Sequence, residues 1–237
     1  MQILKEFQTT QQCSYLDNRE QISDYKLINN CSLEESQAFI ERGYRRFGKV
    51  YFRPVCSGCD ECKSLKIDAT NFKFSKSARR IIKKCSHLEI IIQKPTMTHE
   101  HLELFDNYHR YMHHKKGWQY QPTSPEHYYG SFVDGAYEYG FEVLYFHNTQ
   151  LIGVDLIDIL EDGISSIYFY YHPEFSHLSL GKYSLYEQIR LAQQLNKRWI
   201  YLGYYVKECP SLSYKAEYKP HYILQGRPSL TQEAIWS

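Results

Sequence analysis

The sequence has no apolar run approaching the roughly 20 residues that a membrane-spanning helix needs. Met1 to Thr10 lacks the apolar core of a signal peptide, so a cytoplasmic protein without membrane or DNA partners is expected. Cysteine occurs in an odd number, seven, and with no leader ahead of it a disulfide framework is disfavoured. No compelling nucleophile motif is present. Net charge is nearly absent, at +1 over 237 residues. A hydrophobic content of 43% rules against disorder and is enough for one large core or two small ones.

The small net charge conceals an asymmetry. Residues 1–95 carry +6 and residues 96–237 carry −5, and the stretch from Lys63 to Lys84 reaches +7 with Asp68 as its single acid. Such a run attracts a polyanion such as RNA through counterion release, with Phe72 and Phe74 as candidate stacking surfaces. Directly before it, Cys56, Cys59 and Cys62 stand at three-residue intervals after Arg53-Pro54. That spacing lets three thiolates converge on one soft cation, and Cys13 can supply a fourth, giving the donor set of a structural zinc or an iron-sulfur cluster.

Local signals divide the chain near Lys94-Pro95-Thr96, into a basic, cysteine-containing α+β region of residues 1–95 and a second domain of residues 96–237. In the first region Ser32 and Glu35 form a capping box for a helix ending at Gly43. Short strands are expected on either side of the cysteine turn, at residues 49–52 and 64–69. Ser75 to Lys84 reads as a basic helix, and residues 87–93 as a strand. In the second domain Thr98 caps a helix ending at Gly117. Residues 117–140 read as a loop with a short helix, of a length that often covers a site. Three strands then follow, at 141–147, 151–160 and 164–171, joined by tight turns as an antiparallel meander. A Gly-containing loop, an amphipathic helix over 182–194 and a strand over 199–206 form a crossover, which places the last strand parallel to its predecessor. The expected class is mixed α+β and α/β, with the second domain on the plan of the Gcn5-related acyltransferases. Unlike acyltransferases that use coenzyme A, this chain has only Gly181 where a pyrophosphate loop carries two glycines, so coenzyme A is disfavoured as donor.

Seven motifs occur in fixed order from Cys13 to Pro220: Cys13-x-Tyr15-Leu16, Gly43-Tyr44-Arg45-Arg46, Tyr51-Phe52-Arg53-Pro54 with the three cysteines, Ser75-x-Ser77-x-Arg79-Arg80, Ser179-Leu180-Gly181-x-Tyr183, Tyr201-Leu202-Gly203-Tyr204, and Tyr214-Lys215-x-x-Tyr218-x-Pro220. Together they resemble the aminoacyl-tRNA protein transferases of the arginyltransferase type, in particular their short bacterial branch, the aspartate/glutamate leucyltransferases. Phe47 and residues 111–118 depart from the family pattern. The resemblance implies transfer of leucine from leucyl-tRNA to the N-terminal Asp or Glu of a protein, creating a degradation signal. Arginyl transfer is the alternative within the family. Outside it stand another acyltransferase on the same fold and a noncatalytic zinc-dependent RNA-binding module.

Aminolysis of an activated ester needs no covalent enzyme intermediate, only positioning and stabilisation of the oxyanion, so no cofactor is required for the chemistry. An acidic acceptor residue needs a cation, for which Arg45, Arg46, Arg53 and Lys215 are the candidates. Proton removal from the amine falls to Asp155, Tyr204 or Tyr214. Contact with tRNA is expected from Lys76, Arg79, Arg80, Lys83, Lys84, Ser179 and Gly181. The histidines 109, 113 and 114 cluster in sequence but receive no role. Cys13, Cys56, Cys59 and Cys62 are expected to brace the fold or act as a redox-sensitive latch near the substrate entrance rather than to perform the reaction.

Overall fold

The computed structural model describes residues 1–237, whose eleven strands form two sheets. The first sheet contains β1 (Gln2–Gln12), β2 (Glu20–Asn29), β3 (Arg45–Phe47) and β4 (Val50–Pro54), in the order β1-β2-β4-β3. Helix α1 (Leu33–Glu41) covers one face of it. The helix starts where the capping box is formed in full, Ser32 Oγ accepting from the Glu35 amide and the Glu35 carboxylate accepting from the Ser32 amide. Such a cap stabilises a helix by about 0.5–2 kcal/mol. Phe39 of α1 then packs against Tyr44 and Tyr51 at centroid distances of 5.1 and 4.8 Å, with Ile28 and Cys31 completing a small core.

The second sheet has seven strands in the order β11-β5-β10-β9-β8-β7-β6. Strands β6 (Glu89–Gln93), β7 (Gly140–His147), β8 (Gln150–Ile159) and β9 (Gly163–Tyr171) are successively antiparallel. The expected meander is therefore present, with β6 added as its outer strand. Strand β10 (Trp199–Tyr205) runs parallel to β9 after the crossover. Beyond β10 the chain adds β5 (Lys63–Asp68) and β11 (His221–Ile223), both antiparallel to their neighbours. A division at residue 95 thus cuts this sheet, because β5 and β6 lie on its N-terminal side in sequence and inside the second sheet in space. The local pattern could not show this, since a strand's partner is set by burial of its two faces rather than by chain order. Residues 64–68 are all buried.

Two layers of helix enclose the second sheet. Helices α2 (Lys76–Lys84) and α5 (Leu180–Gln194) cover the face bearing Val143, Tyr145, Ile152 and Ile157, while α3 (His99–Lys116) covers the face bearing Leu144, Val154, Leu156 and Tyr170. Between α3 and β7 the expected loop contains α4 (Pro125–Tyr128) running into a π-helical turn. Gly117 ends α3 in the left-handed conformation at φ 68°, as a C-terminal glycine does. No helix is long and apolar enough to cross a membrane.

Candidate active site

Strands β9 and β10 pair only over Gly163–Ser165 and Trp199–Tyr201, and beyond those residues they part. Arg45 fills the gap from the edge strand of the first sheet. Its Nη2 donates to the carbonyls of Ser166 and Ile167 at 2.9 and 2.7 Å, and its Nη1 donates to the Leu202 carbonyl at 3.1 Å. Gly203 makes this approach possible. The residue has φ +70°, and a Cβ on it would lie 1.7 Å from Arg45 Nη1. From the other side Lys215 Nζ donates to the Leu202 and Tyr204 carbonyls at 2.9 and 2.8 Å.

Arg45 and Lys215 are therefore held by carbonyl oxygens alone. Burial, reinforced by the Arg45 charge, pulls the Lys215 ammonium down to about 7. Burial also lowers Arg45, partly offset by the phenols of Tyr204, Tyr15 and Tyr214 around it. The next residue behaves differently. Arg46 is locked to Asp158 by two hydrogen bonds, Nη2 to Oδ1 at 2.5 Å and Nε to Oδ2 at 2.9 Å, with both side chains 3% exposed or less. Its Nη1 donates to the Gly48 and Gly135 carbonyls. Burial acts to lower its pKa, but the Asp158 charge and hydrogen bonds outweigh that and leave it above the ordinary arginine value. Arg46 is a brace between the two sheets: four of its five N–H groups are spent and its charge is matched by Asp158 in a site sealed from solvent, so it is not placed to meet an acidic substrate.

A cleft of about 290 Å³ lies at the junction of the two sheets, lined by Arg42, Arg53, Lys63 and Arg227 with Asp60 as its only acid, and by Gly43, Cys62, Ser64 and Tyr204. A narrower recess continues inward past Gly43 and Ser64 to Arg45 and Gly203. Lys63 is paired with Asp60, and Arg42 has Glu41 at 4.0 Å, so Arg53 and Arg227 face the cleft without a carboxylate. Arg53 stacks over the Tyr44 ring at 4.4 Å and donates through Nη1 to the carbonyls of Arg42 and Pro228, while its buried Nε has no partner. Of the cations expected to recognise an acid, Arg53 alone lines this cleft, and Arg45 lies at its inner end. Arg42 and Arg227 were missed by sequence reasoning. The turn residues Gly226 and Pro228 flanking Arg227 were the available signal.

The three groups expected to take a proton are dispersed. Asp155 is 0% exposed and sits between β8 and α5, accepting from Gln188 Nε2 at 2.7 Å, and burial pushes its carboxyl up to about 7. It faces the core and not the cleft. Tyr204 lines the cleft, but its hydroxyl proton is directed at the Gly43 and Phe52 carbonyls, 3.2 and 3.1 Å away, and burial raises its pKa well above the ordinary tyrosine value. Tyr214, near Arg45, is 40% exposed. His109 is fixed between the Phe105 carbonyl and the Tyr168 hydroxyl, and His113 Nδ1–H donates to the Trp118 carbonyl, so the three histidines form no centre.

The basic helix behaves as the sequence suggests: Lys76, Arg79, Arg80, Lys83 and Lys84 are all exposed. A groove of about 530 Å³ between α2 and α5 is lined by Lys73, Arg79 and Arg190. Lys84 Nζ ties α2 to the His177 carbonyl at 2.7 Å, just ahead of Ser179 and Gly181. Ser179 has φ 58°, and a Cβ on Gly181 would meet nothing within 4 Å, so the α5 start is open. Phe72 and Phe74 are not free stacking surfaces. They pack on Tyr218 and Tyr186 at the edge of the core, because the buried apolar face beneath α2 claims them.

The four expected metal ligands are gathered around Cys62. Burial raises its thiol to about 12, and neighbouring Cys13, Cys56 and Cys59 push in the same direction. All seven cysteines are free thiols. The donor types suit a soft cation, but no three His, Cys, Asp or Glu side chains stand in ligand geometry. Instead Cys56 Sγ accepts from the Ile22 amide at 3.3 Å, and Cys59 Sγ accepts from Arg19 Nη1 at 3.3 Å.

Residues 11–80 match the family described as arginine-tRNA-protein transferase, N terminus, and residues 100–225 match its C-terminal counterpart. The chain belongs to the arginine-tRNA-protein transferase family. As a member of this family it is an aminoacyltransferase enzyme. An aspartate/glutamate leucyltransferase of Campylobacter jejuni is 48% identical over 226 residues, 95% of each chain. Another of the same name from Helicobacter hepaticus is 39% identical over 236 residues, 100% of this chain and 98% of that one. Among solved structures, FemX aligns with TM-score 0.45 and 8% identity over 77% of this chain and 63% of that chain.

Proposed function

We propose that this transferase moves leucine from leucyl-tRNA to the N-terminal Asp or Glu of an acceptor protein, by direct aminolysis of the aminoacyl ester. The names of the relatives support the donor and acceptor. The observation that carries the reading is the cleft between the sheets, where Arg53 and Arg227 face a volume of about 290 Å³, roomy enough for a side chain, and the single acid lining it, Asp60, is paired with Lys63. The acidic side chain of the acceptor fits there, meeting guanidinium N–H groups that remain free.

The meander, crossover and parting strands follow the Gcn5-related acyltransferase plan, in which the acyl group lies where the parallel strands diverge. Here Arg45 occupies that divergence and, with Lys215, leaves positive charge uncompensated beside it. That field favours the oxyanion of the tetrahedral intermediate, and it favours the neutral form of the attacking α-amine, whose ordinary pKa is about 7.7–8.0. The exposed cations of α2 and the groove against α5 offer the polyanionic body of the donor a surface on the other side. Cys13, Cys56, Cys59 and Cys62 have the donor chemistry of a structural zinc or iron-sulfur centre, and to hold one they would have to leave the arrangement described above, in which Cys56 and Cys59 accept from the Ile22 amide and Arg19. Free thiols throughout accord with a cytoplasmic enzyme.

The test is transfer of labelled leucine from leucyl-tRNA to peptides beginning with Asp, Glu, Asn or Ala, with arginyl-tRNA run in parallel. Labelling of the Asp and Glu peptides alone, from leucyl-tRNA alone, is the expected result. Labelling from arginyl-tRNA instead would reassign the donor, and tRNA binding without transfer to any peptide would sink the proposal.

A further inference from the structure

Residues 224–237 run back across the mouth of the cleft, nearly all of them beyond Gln225, the last residue the family's C-terminal description covers. The strap is pinned at both ends. Gln225 N donates to the Ile235 carbonyl at 2.8 Å, and Ile223 and Ser237 exchange two backbone hydrogen bonds at 2.8 and 3.1 Å. Trp236 closes an aromatic enclosure around Lys66, whose Nζ lies 4.0 Å from the Trp199 ring, 4.5 Å from the Trp236 ring and 5.5 Å from the Tyr201 ring. Lys66 is 6% exposed. An ammonium enclosed by aromatic faces holds them together as effectively as they hold it.

Between these pins the strap touches two of the cleft arginines, Arg42 and Arg53, and supplies the third, Arg227. The Ser229 and Gln232 carbonyls each accept from Arg42 Nε at 3.0 Å, and the Pro228 carbonyl accepts from Arg53 Nη1 at 2.8 Å. Arg227 itself donates to the carbonyls of Cys56 at 3.3 Å and Cys59 at 2.8 Å, which spends two of its five N–H groups and fixes the plane of the rest. Carbonyl dipoles orient guanidiniums without cancelling their charge. Like charges crowded at one pocket repel one another, so something must hold them in place when no anion is bound, and the strap does so.

We propose that the strap sets acceptor specificity: Arg227 is a binding residue for the acidic side chain, and Pro228, Ser229 and Gln232 position Arg53 and Arg42 around it, with Trp236 as the latch. This rests on the acceptor reading given above and adds the residues that discriminate an acid from its neutral isostere.

The experiment measures steady-state leucyl transfer by the full chain, at saturating leucyl-tRNA, to peptides that begin with Asp or Asn. Arg227→Ala is expected to raise KM for the Asp peptide by about 10- to 100-fold, as loss of a charge-assisted hydrogen bond does. The Asn peptide should be little affected, and Arg227→Lys should restore part of the loss. Trp236→Ala should shift the Asp KM the same way by a smaller factor, with Trp236→Phe near the parent value. Loss of kcat in equal proportion for both peptides would mean that the strap only supports the fold, and an unchanged Asp KM in Arg227→Ala and Arg227→Lys would remove Arg227 from the pocket. Either result overturns the proposal. If the unaltered enzyme itself fails to prefer Asp over Asn, the acceptor reading falls whatever the variants do.

Discussion

Arg45 and Arg46 are adjacent on a three-residue strand and point to opposite faces of it. Arg46 meets a carboxylate, Asp158, in a bidentate pair sealed from solvent. Arg45 meets three carbonyls and no carboxylate. The difference separates holding from acting. A matched ion pair presents almost no field outside itself, so Arg46 can join two sheets but cannot recognise an anion. Carbonyl oxygens satisfy N–H groups while leaving the charge intact, so Arg45 keeps its field for whatever enters the divergence between β9 and β10.

The comparison breaks most visibly at Arg46. Arg46→Ala leaves Asp158 buried without its partner, and urea unfolding should show a loss of about 3–5 kcal/mol. A loss below 1 kcal/mol would mean that the pair is not the brace between the sheets. Gly203→Ala tests Arg45 from beneath. The new Cβ needs the space of the guanidinium at a backbone angle that disfavours side chains, so about 1–3 kcal/mol of stability should be lost. Transfer should fall further than tRNA binding does, because Arg45 is displaced from the reacting end. Equal losses in the two assays would argue that Arg45 is only a plug.

The remaining effect concerns Lys215 and depends on pH. Its folded value is about 7, below the ordinary 10.5, so between those limits the unfolded chain binds more protons than the folded one. Stability from this group therefore rises as pH increases from about 7 towards 10, and the cost of its buried charge is greatest below 7. Lys215→Met removes that slope. Chemical denaturation at pH 7, 8 and 9 should show the parent protein gaining on the variant with each step, and parallel curves would place the Lys215 ammonium back near its solvated value.

What the sequence revealed was mostly local. Ser32 with Glu35, Thr98 and Gly117 mark helix ends through contacts a few residues long, and all three act as expected. The meander was legible because its turns are tight and its strands nearly all apolar. The hairpin of β1 and β2 was not, since β1 is exposed along almost its whole length and carries no alternation. Asp155 reads as a candidate for proton removal from one residue type on a strand. With helices on both sides of β8, however, neither face of that strand reaches solvent. Nor could Arg45 be told from Arg46, because the carboxylate that separates them is 112 residues away.

The placement of β5 sets the order in which the molecule can be built. Its neighbours on either side are β10 and β11, so residues 63–68 leave the ribosome more than a hundred residues before any strand that can pair with them. At about 5–20 residues per second the interval is on the order of ten seconds. Throughout it Leu65 and Ile67, which end up 1% and 0% exposed, have no sheet to enter. Closure of the large sheet, and with it the joining of the two sheets on which the cleft depends, is a late event in synthesis. The nascent chain exposes a short apolar strand until then, with basic residues beside it to keep it apart from its own copies.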